Sequence, residues 1–393
     1  MISFAPSEEQ QALLETARRF AAEQLAPGVK TADREGRLQP GLRQAYHDLG
    51  LPLLGLPESC GGIGFDLIAK VLAEEALAQI DAAQAVALDN AGTAAQAILG
   101  LAGEQAGAQW LSPLAERHDY VLAFAAAEAL PGAHVGLLQT RAERQSGEVR
   151  LTGQKRGVYN AAEASRLVVL ARERDGEGLH GVQAYLVEAG APGLAVTPED
   201  RMGLRAGGAC SLRLEATPAR PLLAAGHDEA ALQRVLSIAR TLAAARICGA
   251  ARGALLHAID YAQDRTAFGK PICGHQGLAF FMADMEVALE GARNLTLLAA
   301  WELAQGQAAI GSSCAAATHA AEAGVKVTVD AVQVFGGAGF MKDMPVERYM
   351  RDVRTLANMA GTPEDHLHLA GGALMPMSAA PNATSAERQE ALA

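Results

Sequence analysis

YAQDRTAFGKPICGHQ, Tyr261–Gln276, sets an arginine, a phenylalanine, a glycine turn and a glutamine at fixed spacing between two stretches that read as successive helices. The flanks agree with that reading. Upstream, from Asp228, Ala, Leu, Glu and Gln dominate; downstream, Leu278, Met282, Met285, Leu289 and Ala292 trace one apolar stripe at helical spacing. A second long motif follows: AVQVFGGAGFMKDMPVERYMRDVRTLANMAGT, Ala331–Thr362. Its glycines permit close backbone approach. Residues 226–378 therefore read as a bundle of long helices, and residues 379–393 as a loose tail.

Toward the N-terminus, Ser7 and Gln10 form a capping box, after which Leu13, Leu14, Ala17, Phe20, Ala21 and Leu25 recur at helical spacing, with Pro27 expected to stop the run. Similar patterns surround Leu42–Leu49 and Leu67–Ala78, separated by a turn at Pro57 and Gly61-Gly62. This predicts a helical domain over 1–118. From Val121 the texture changes to alternating or β-branched segments such as VRLTGQKR, RLVVLAR, VQAYLVE, GLAVTPE and CSLRLEA, punctuated by glycine turns. A middle β-domain over 119–225 follows.

Half of the 393 residues are hydrophobic and a fifth charged, enough for a large core in two or three structural units. The net charge of −11 and the lack of a Lys/Arg run argue against a nucleic-acid surface. Five cysteines stand without a C-x-x-C pair, and His134, His275, His366 and His368 have no metal-ligand spacing, so no metal site is expected. The scattered thiols suit a reducing cytoplasm. MISFAPSEEQQ has no apolar signal core and no uncharged apolar run approaches ~18 residues, so neither secretion nor a membrane span is expected. No G-x-S-x-G or Walker pattern occurs.

Together the two C-terminal motifs resemble the acyl-CoA dehydrogenase family, the second following its Q-x-x-G-G-x-G…P-x-x-R-x-x-R-D-x-R order without a gap. The resemblance implies an α+β fold: an N-terminal helical domain, a middle β-barrel or sandwich domain and a C-terminal four-helix bundle, assembled as a dimer of dimers. It also implies FAD shared across a subunit interface, an acyl-CoA thioester as substrate, and electron-transfer flavoprotein as acceptor. By the same resemblance, Arg265 meets the FAD pyrophosphate, Phe268 packs the adenosine side and Gln276 hydrogen-bonds the cofactor. Gln333 with Gly336, Gly337 and Gly339 makes a second clamp, Thr362 lies on the cofactor side and Arg240 on the substrate side.

The chain departs from the family where its own active site should be. The base that removes the substrate α-proton stands either before Gly-Thr or, in some branches, before an arginine upstream of Tyr-x-x-x-Arg; here those positions are Ala360 and Ala239. Glu364 and Asp365 read as first-turn acids of a helix capped by Thr362, with Pro363 at its first position. In the β-domain, Glu128, Gly132 and Thr140 fit the T-E-P-x-A-G-S-D…T pattern, but its two hydroxyls fall on Ala127 and Ala133, its proline on Ala129 and its aspartate on His134. The K-x-W-I-T-N turn becomes KRGVYN, Lys155–Asn160, with Gly157 for the tryptophan and Tyr159 for the threonine. Each donor lost to a buried polar ring costs about 1 to 3 kcal/mol.

This pattern points to a half-site subunit of a heteromeric FAD-dependent acyl-CoA dehydrogenase, lending its ADP clamp to a partner that supplies flavin pocket and base. The alternatives are a self-sufficient flavoenzyme with a displaced base or base-free elimination chemistry, and a non-catalytic scaffold subunit.

Overall fold

The computed structural model describes residues 6–128, 137–145, 147–174, 178–223 and 228–375. Its N-terminal helices are α1 (Glu8–Phe20), α2 (Val29–Glu35), α3 (Leu42–Asp48), α4 (Leu67–Leu88), α5 (Gly92–Leu111) and the short α6 (Pro113–Glu116). The Ser7/Gln10 capping box forms, Ser7 Oγ accepting from the Gln10 amide at 3.2 Å and Gln10 Oε1 from the Ser7 amide at 3.0 Å. Pro27 does not end the run. The chain passes through one π turn, Ala21–Leu25, and one 3-10 turn, Ala26–Gly28, into α2. Pro27 sits in the opening residues of that 3-10 turn, where its missing N–H removes no helical bond.

Seven strands follow: β1 (Leu122–Ala125), β2 (Arg141–Gln145), β3 (Glu148–Val158), β4 (Arg166–Arg172), β5 (Val182–Glu188), β6 (Leu194–Pro198) and β7 (Cys210–Pro221). The ladder β4-β2-β3-β7-β5 returns to β4 and closes, with β1 parallel on β4 and β6 antiparallel on β7. Alternating side chains such as Val149, Leu151, Leu212 and Leu214 fill one core of this mixed sheet.

The last part holds α7 (Glu229–Asp264), a two-strand hairpin of β8 (Thr266–Ala267) and β9 (Lys270–Pro271), α8 (Gln276–Ala304), α9 (Ile310–Phe335), α10 (Val346–Leu356) and α11 (Pro363–Leu374). The three-part order is that implied by the sequence. By length and composition α7 could cross a bilayer, but its apolar stretch is interrupted by arginines and 78% of its apolar window is buried inside the protein. It is the core helix that α4, α8 and α9 pack against. The predicted stripe on α8 is buried at Met285, Leu289 and Ala292. The tail at 379–393 lies outside the described residues.

α4 and α7 approach closely because α7 carries Gly249 and Gly253 one turn apart on the shared face. A Cβ at Gly249 would stand 2.1 Å from the Glu75 carbonyl oxygen, and one at Gly253 2.1 Å from that of Gln79. Beyond Gly253, Tyr349 of α10 donates its hydroxyl to the Gln79 carbonyl at 2.7 Å, and Arg348 pairs with Asp81 at 2.8 Å, where α4 breaks into extended backbone.

The clash at Gly249 outweighs the gain in helix propensity of about 1 kcal/mol that alanine brings. Gly249→Ala is therefore expected to destabilise the protein by about 2 kcal/mol or more. Gly371→Ala, where an added Cβ meets nothing within 4 Å, is expected to stabilise slightly. Urea unfolding of the two variants checks the contrast.

Candidate active site and cofactor clamp

The cavity between the α4–α5 junction, the β-domain, α7 and the start of α11 has a volume of about 350 Å³, at the lower end of small-ligand sites. Val86, Leu122, Phe124, Leu236, Met359 and Leu369 supply much of its apolar wall. Both positions where the family carries its base, Ala239 on α7 and Ala360 before α11, line it, as do Thr362 and Arg240.

Three carboxylates line this cavity, and each is engaged. Asp89 accepts from Lys70 at 2.8 Å, from the Gly92 amide at 2.9 Å, and from Arg246. Burial pushes its carboxyl up, but Lys70 and Arg246 outweigh that and hold it at about 2. Arg246 also reaches Glu74 at 2.8 Å, closing a buried group of two cations and two anions. Such a carboxylate is too stable as the anion to take a weakly acidic carbon's proton.

Glu128 accepts from Lys155 at 2.8 Å, from the Thr140 hydroxyl at 2.6 Å and from the Gln139 and Thr140 amides. It staples three segments of the β-domain, and its carboxyl is held below the usual range because these partners overcome its burial. Lys155 is fully buried, and burial brings it down to about 8 against the pull of Glu128. Asp365 belongs to a capping box: Thr362 Oγ1 accepts from its amide at 3.2 Å, and its carboxylate accepts from the Thr362 amide at 3.0 Å. Glu364 is exposed and away from the cavity wall.

Two features of the Lys155–Asn160 turn were not visible in the sequence. Gly157 has φ +62°, and a Cβ there would lie 2.7 Å from Arg201 Nη2, so an arginine from a distant loop occupies the space beside it. Glu199 holds that guanidinium with bonds of 2.6 and 2.8 Å, and its Oε1 accepts from the Gly157 amide at 3.2 Å. Arg201 also lies over the Tyr159 ring, 5.7 Å from its centroid, and burial pushes the Tyr159 hydroxyl up to about 12. Ala127 contributes only backbone here, its carbonyl accepting from the Arg156 amide at 3.0 Å. Ala129, Gly132, Ala133 and His134 lie outside the described residues.

The clamp residues sit elsewhere. Arg265 ends α7, Phe268 tips the hairpin with φ +52° and 95% of its surface exposed, and Gln276 opens α8. Gln333 lies on the last turn of α9, with Gly336 and Gly337 just beyond and Gly339 buried. Tyr261 and Phe335 stack at 4.2 Å and bring the two motifs to one end of the bundle. Arg265, Gln276 and Gln333 are exposed and have no side-chain partner among the described residues. None of the clamp residues on the two motifs lines the cavity. Their donors suit the pyrophosphate and adenosine half of FAD, whereas Ala127 and Gly157 bring no side-chain donor to the cavity wall. Among the described residues no three His, Cys, Asp or Glu side chains converge as a metal site.

His366, on the first turns of α11, is 3% exposed, and its Nδ1 is buried without a partner. Burial and the charge of Arg240 push its imidazole down to about 4. Between that value and the ordinary ~6.5, the unfolded chain holds a proton that the native chain does not. The His366 contribution to stability is therefore lost as pH falls through this window, by up to about 3 kcal/mol, while Asp352, whose carboxyl burial pushes up to about 7, contributes in the opposite sense. The stabilisation from Asp89 and Glu128 is present at neutral pH and is lost only as pH falls further, because their carboxyls are held below ordinary values. Urea unfolding from pH 7 to 4 is expected to show a shallower loss for His366→Gln than for the parent; parallel curves would rule the effect out.

Sequence models of the acyl-CoA dehydrogenase N-terminal, middle and C-terminal domains match residues 7–118, 123–217 and 229–375. An acyl-CoA dehydrogenase of Bacillus subtilis is 32% identical over 363 residues, 91% of this chain and 96% of that protein. The solved butyryl-CoA dehydrogenase of Megasphaera elsdenii superposes with a TM-score of 0.88 at 31% identity, covering 95% of this chain and 100% of that one. A chain solved in work on the electron transferring flavoprotein of Acidaminococcus fermentans gives 0.89 at 31% identity, covering 96% and 100%. With domain models matched along its length and relatives above 30% identity over nearly all of it, the chain belongs to the acyl-CoA dehydrogenase family.

Proposed function

We propose that this chain is the half-site subunit of a heteromeric FAD-dependent acyl-CoA dehydrogenase, lending its ADP clamp to the cofactor of a second, catalytically complete subunit. The observation that carries the reading is the separation of two surfaces with different fates. The clamp stands exposed and unpaired at the end of the bundle, while the cavity has alanine at both base positions and every lining carboxylate engaged.

FAD bound to the pair supplies the hydride acceptor for α,β-desaturation of an acyl-CoA thioester, and an electron-transfer flavoprotein takes the electrons onward. This chain's part is to bind. Arg265 pairs the pyrophosphate with a planar fork of donors, Phe268 covers the adenosine side, Gln276 and Gln333 hydrogen-bond the cofactor, and Gly336, Gly337 and Gly339 let the backbone come close. Thr362 remains the N-cap of α11.

An oligomer is supported independently by an apolar stripe on α8: Phe280, Val287, Leu298 and Trp301 fall on one face and are 62%, 72%, 44% and 51% exposed. A row of this kind suits burial against another helical subunit, as in a dimer of dimers.

A self-sufficient flavoenzyme is the second reading, and the retained cavity favours it. It requires flavin to bind through backbone groups beside Arg201 and Tyr159. Visible absorbance decides between the two. The protein purified alone is expected to be colourless, and co-expression with a relative carrying an intact E-G-T motif is expected to give about one FAD per pair of chains. One FAD per chain in the protein alone overturns the half-site reading.

Two substitutions extend the test. Arg265→Gln in the pair should weaken FAD retention about tenfold or more, since it removes a charge-assisted pair worth roughly 1.5 to 3 kcal/mol. Ala360→Glu in the isolated chain should leave it inactive, because a restored base without a flavin has no hydride acceptor; desaturation by this variant alone would contradict the reading.

A further inference from the structure

Arg240 differs from the other cations that line the cavity. Arg246 is paired with Glu74 and Asp89, and Arg156 stands 3.5 Å from Glu199. Arg240 is 3% exposed and has no carboxylate partner among the described residues. Its Nη1 meets only two neutral hydroxyls, Ser237 Oγ and Ser313 Oγ, each at 3.3 Å. A buried guanidinium with no anion carries a desolvation cost that neutral hydroxyls offset only in part.

A second polar group at the same cavity is also unmet. His366 comes from α11, lines the cavity, is 3% exposed and leaves Nδ1 buried without a partner. The charge of Arg240 reaches this ring. Ala239 precedes Arg240 on α7 and Ala360 lies just before α11, so the side chains at both base positions are too short to bring an anion there. Asp365 is held in the α11 capping box and Asp89 in the buried charge group. The remaining neighbour of Arg240 with a titratable group is the Cys314 thiol, which burial pushes up and keeps neutral.

We propose that Arg240 and His366 form a carboxylate-binding subsite inside this chain's own cavity. One donor is a buried cation and the other the His366 imidazole in its Nδ1–H tautomer, which together suit a planar, two-oxygen anion. The apolar wall formed by Leu236, Phe124 and Leu369 suits a short aliphatic body attached to it. The carboxylate has two possible sources: the far end of an acyl thioester whose acyl group is itself an acid, or a small free carboxylate occupying the volume left by the alanines. The thioester source rests on the acyl-CoA reading above; the free-anion source does not.

Titration calorimetry on the full chain with glutaryl-CoA, butyryl-CoA and CoA separates the sources, together with thermal unfolding in acetate against chloride at equal ionic strength. If the acyl group brings the carboxylate, glutaryl-CoA is expected to bind about tenfold to hundredfold tighter than butyryl-CoA, with the difference abolished in Arg240→Gln. If the carboxylate is free, acetate raises the melting temperature of the parent and not of Arg240→Gln. Failure of every thioester and of CoA to bind would count against acyl-CoA as this cavity's ligand while leaving the acetate arm to decide the subsite.

Should Arg240→Gln not fold, the imidazole resonances of His366 in the parent protein report instead, moving with acetate or glutaryl-CoA and not with chloride. The subsite is overturned if the two thioesters bind equally and acetate acts no differently from chloride, or if carboxylate binding survives unchanged in Arg240→Gln.

Discussion

The group formed by Lys70, Glu74, Asp89 and Arg246 fixes the relation between the helices around the cavity. Lys70 and Glu74 come from α4, Asp89 from the turn that follows it, and Arg246 from α7, while Asp89 also accepts from the Gly92 amide at the start of α5. Two positive and two negative charges are buried together, so the group is neutral and each desolvated ion has a partner. Loss of any one member would leave an uncompensated charge, a change that costs about 3 to 5 kcal/mol in comparable buried pairs. That constraint makes the cavity a property of the fold. It persists whether or not chemistry takes place in it, because the residues that hold its walls apart are not those that would act on a substrate.

The same arithmetic sets Arg240 apart. Within one cavity, Arg246 is fully compensated and Arg240 is met by hydroxyls alone. With alanine at both candidate base positions, the cavity lacks the proton acceptor and also the negative charge that a carboxylate at either position would offer the neighbouring guanidinium. Losing the base therefore leaves a positive binding site.

Much of the architecture was legible because it rests on local patterns. β4 and β5 coincide with the segments RLVVLAR and VQAYLVE, and the Thr362 cap forms as its Thr-Pro-Glu-Asp run dictates. The ordered glycines, glutamines and arginine of the two C-terminal motifs identified the family because their spacing is fixed along the chain. What escaped sequence reading was non-local. Arg246 and Glu74 are 172 residues apart, and no pattern announces that they meet. Arg201 fills the space beside Gly157 from another loop, so a position read as an absence is an occupied volume. The passage through Pro27 depends on a π turn and a 3-10 turn that helical periodicity does not resolve. In α7, scattered charged residues hid a helix apolar enough to form the centre of the molecule.

The two surfaces place different demands on the chain. A clamp at the end of α7 and α9 needs exposed donors on a rigid support, and the Tyr261–Phe335 stack with the buried faces of α7, α8 and α9 supplies that support without reference to the cavity. A catalytic cavity needs a free carboxylate in a dry wall beside a flavin ring, a strained arrangement that stability does not favour. With alanine at both candidate base positions and an Arg201–Glu199 pair beside Gly157, this cavity wall holds no such unpaired acid. On the proposed half-site reading the cavity need not carry out chemistry, and the bundle end is supported independently of it. On that same reading, the exposed bundle end and the altered cavity have one physical basis: the two motifs at the end of α7 and α9 lie apart from the cavity wall.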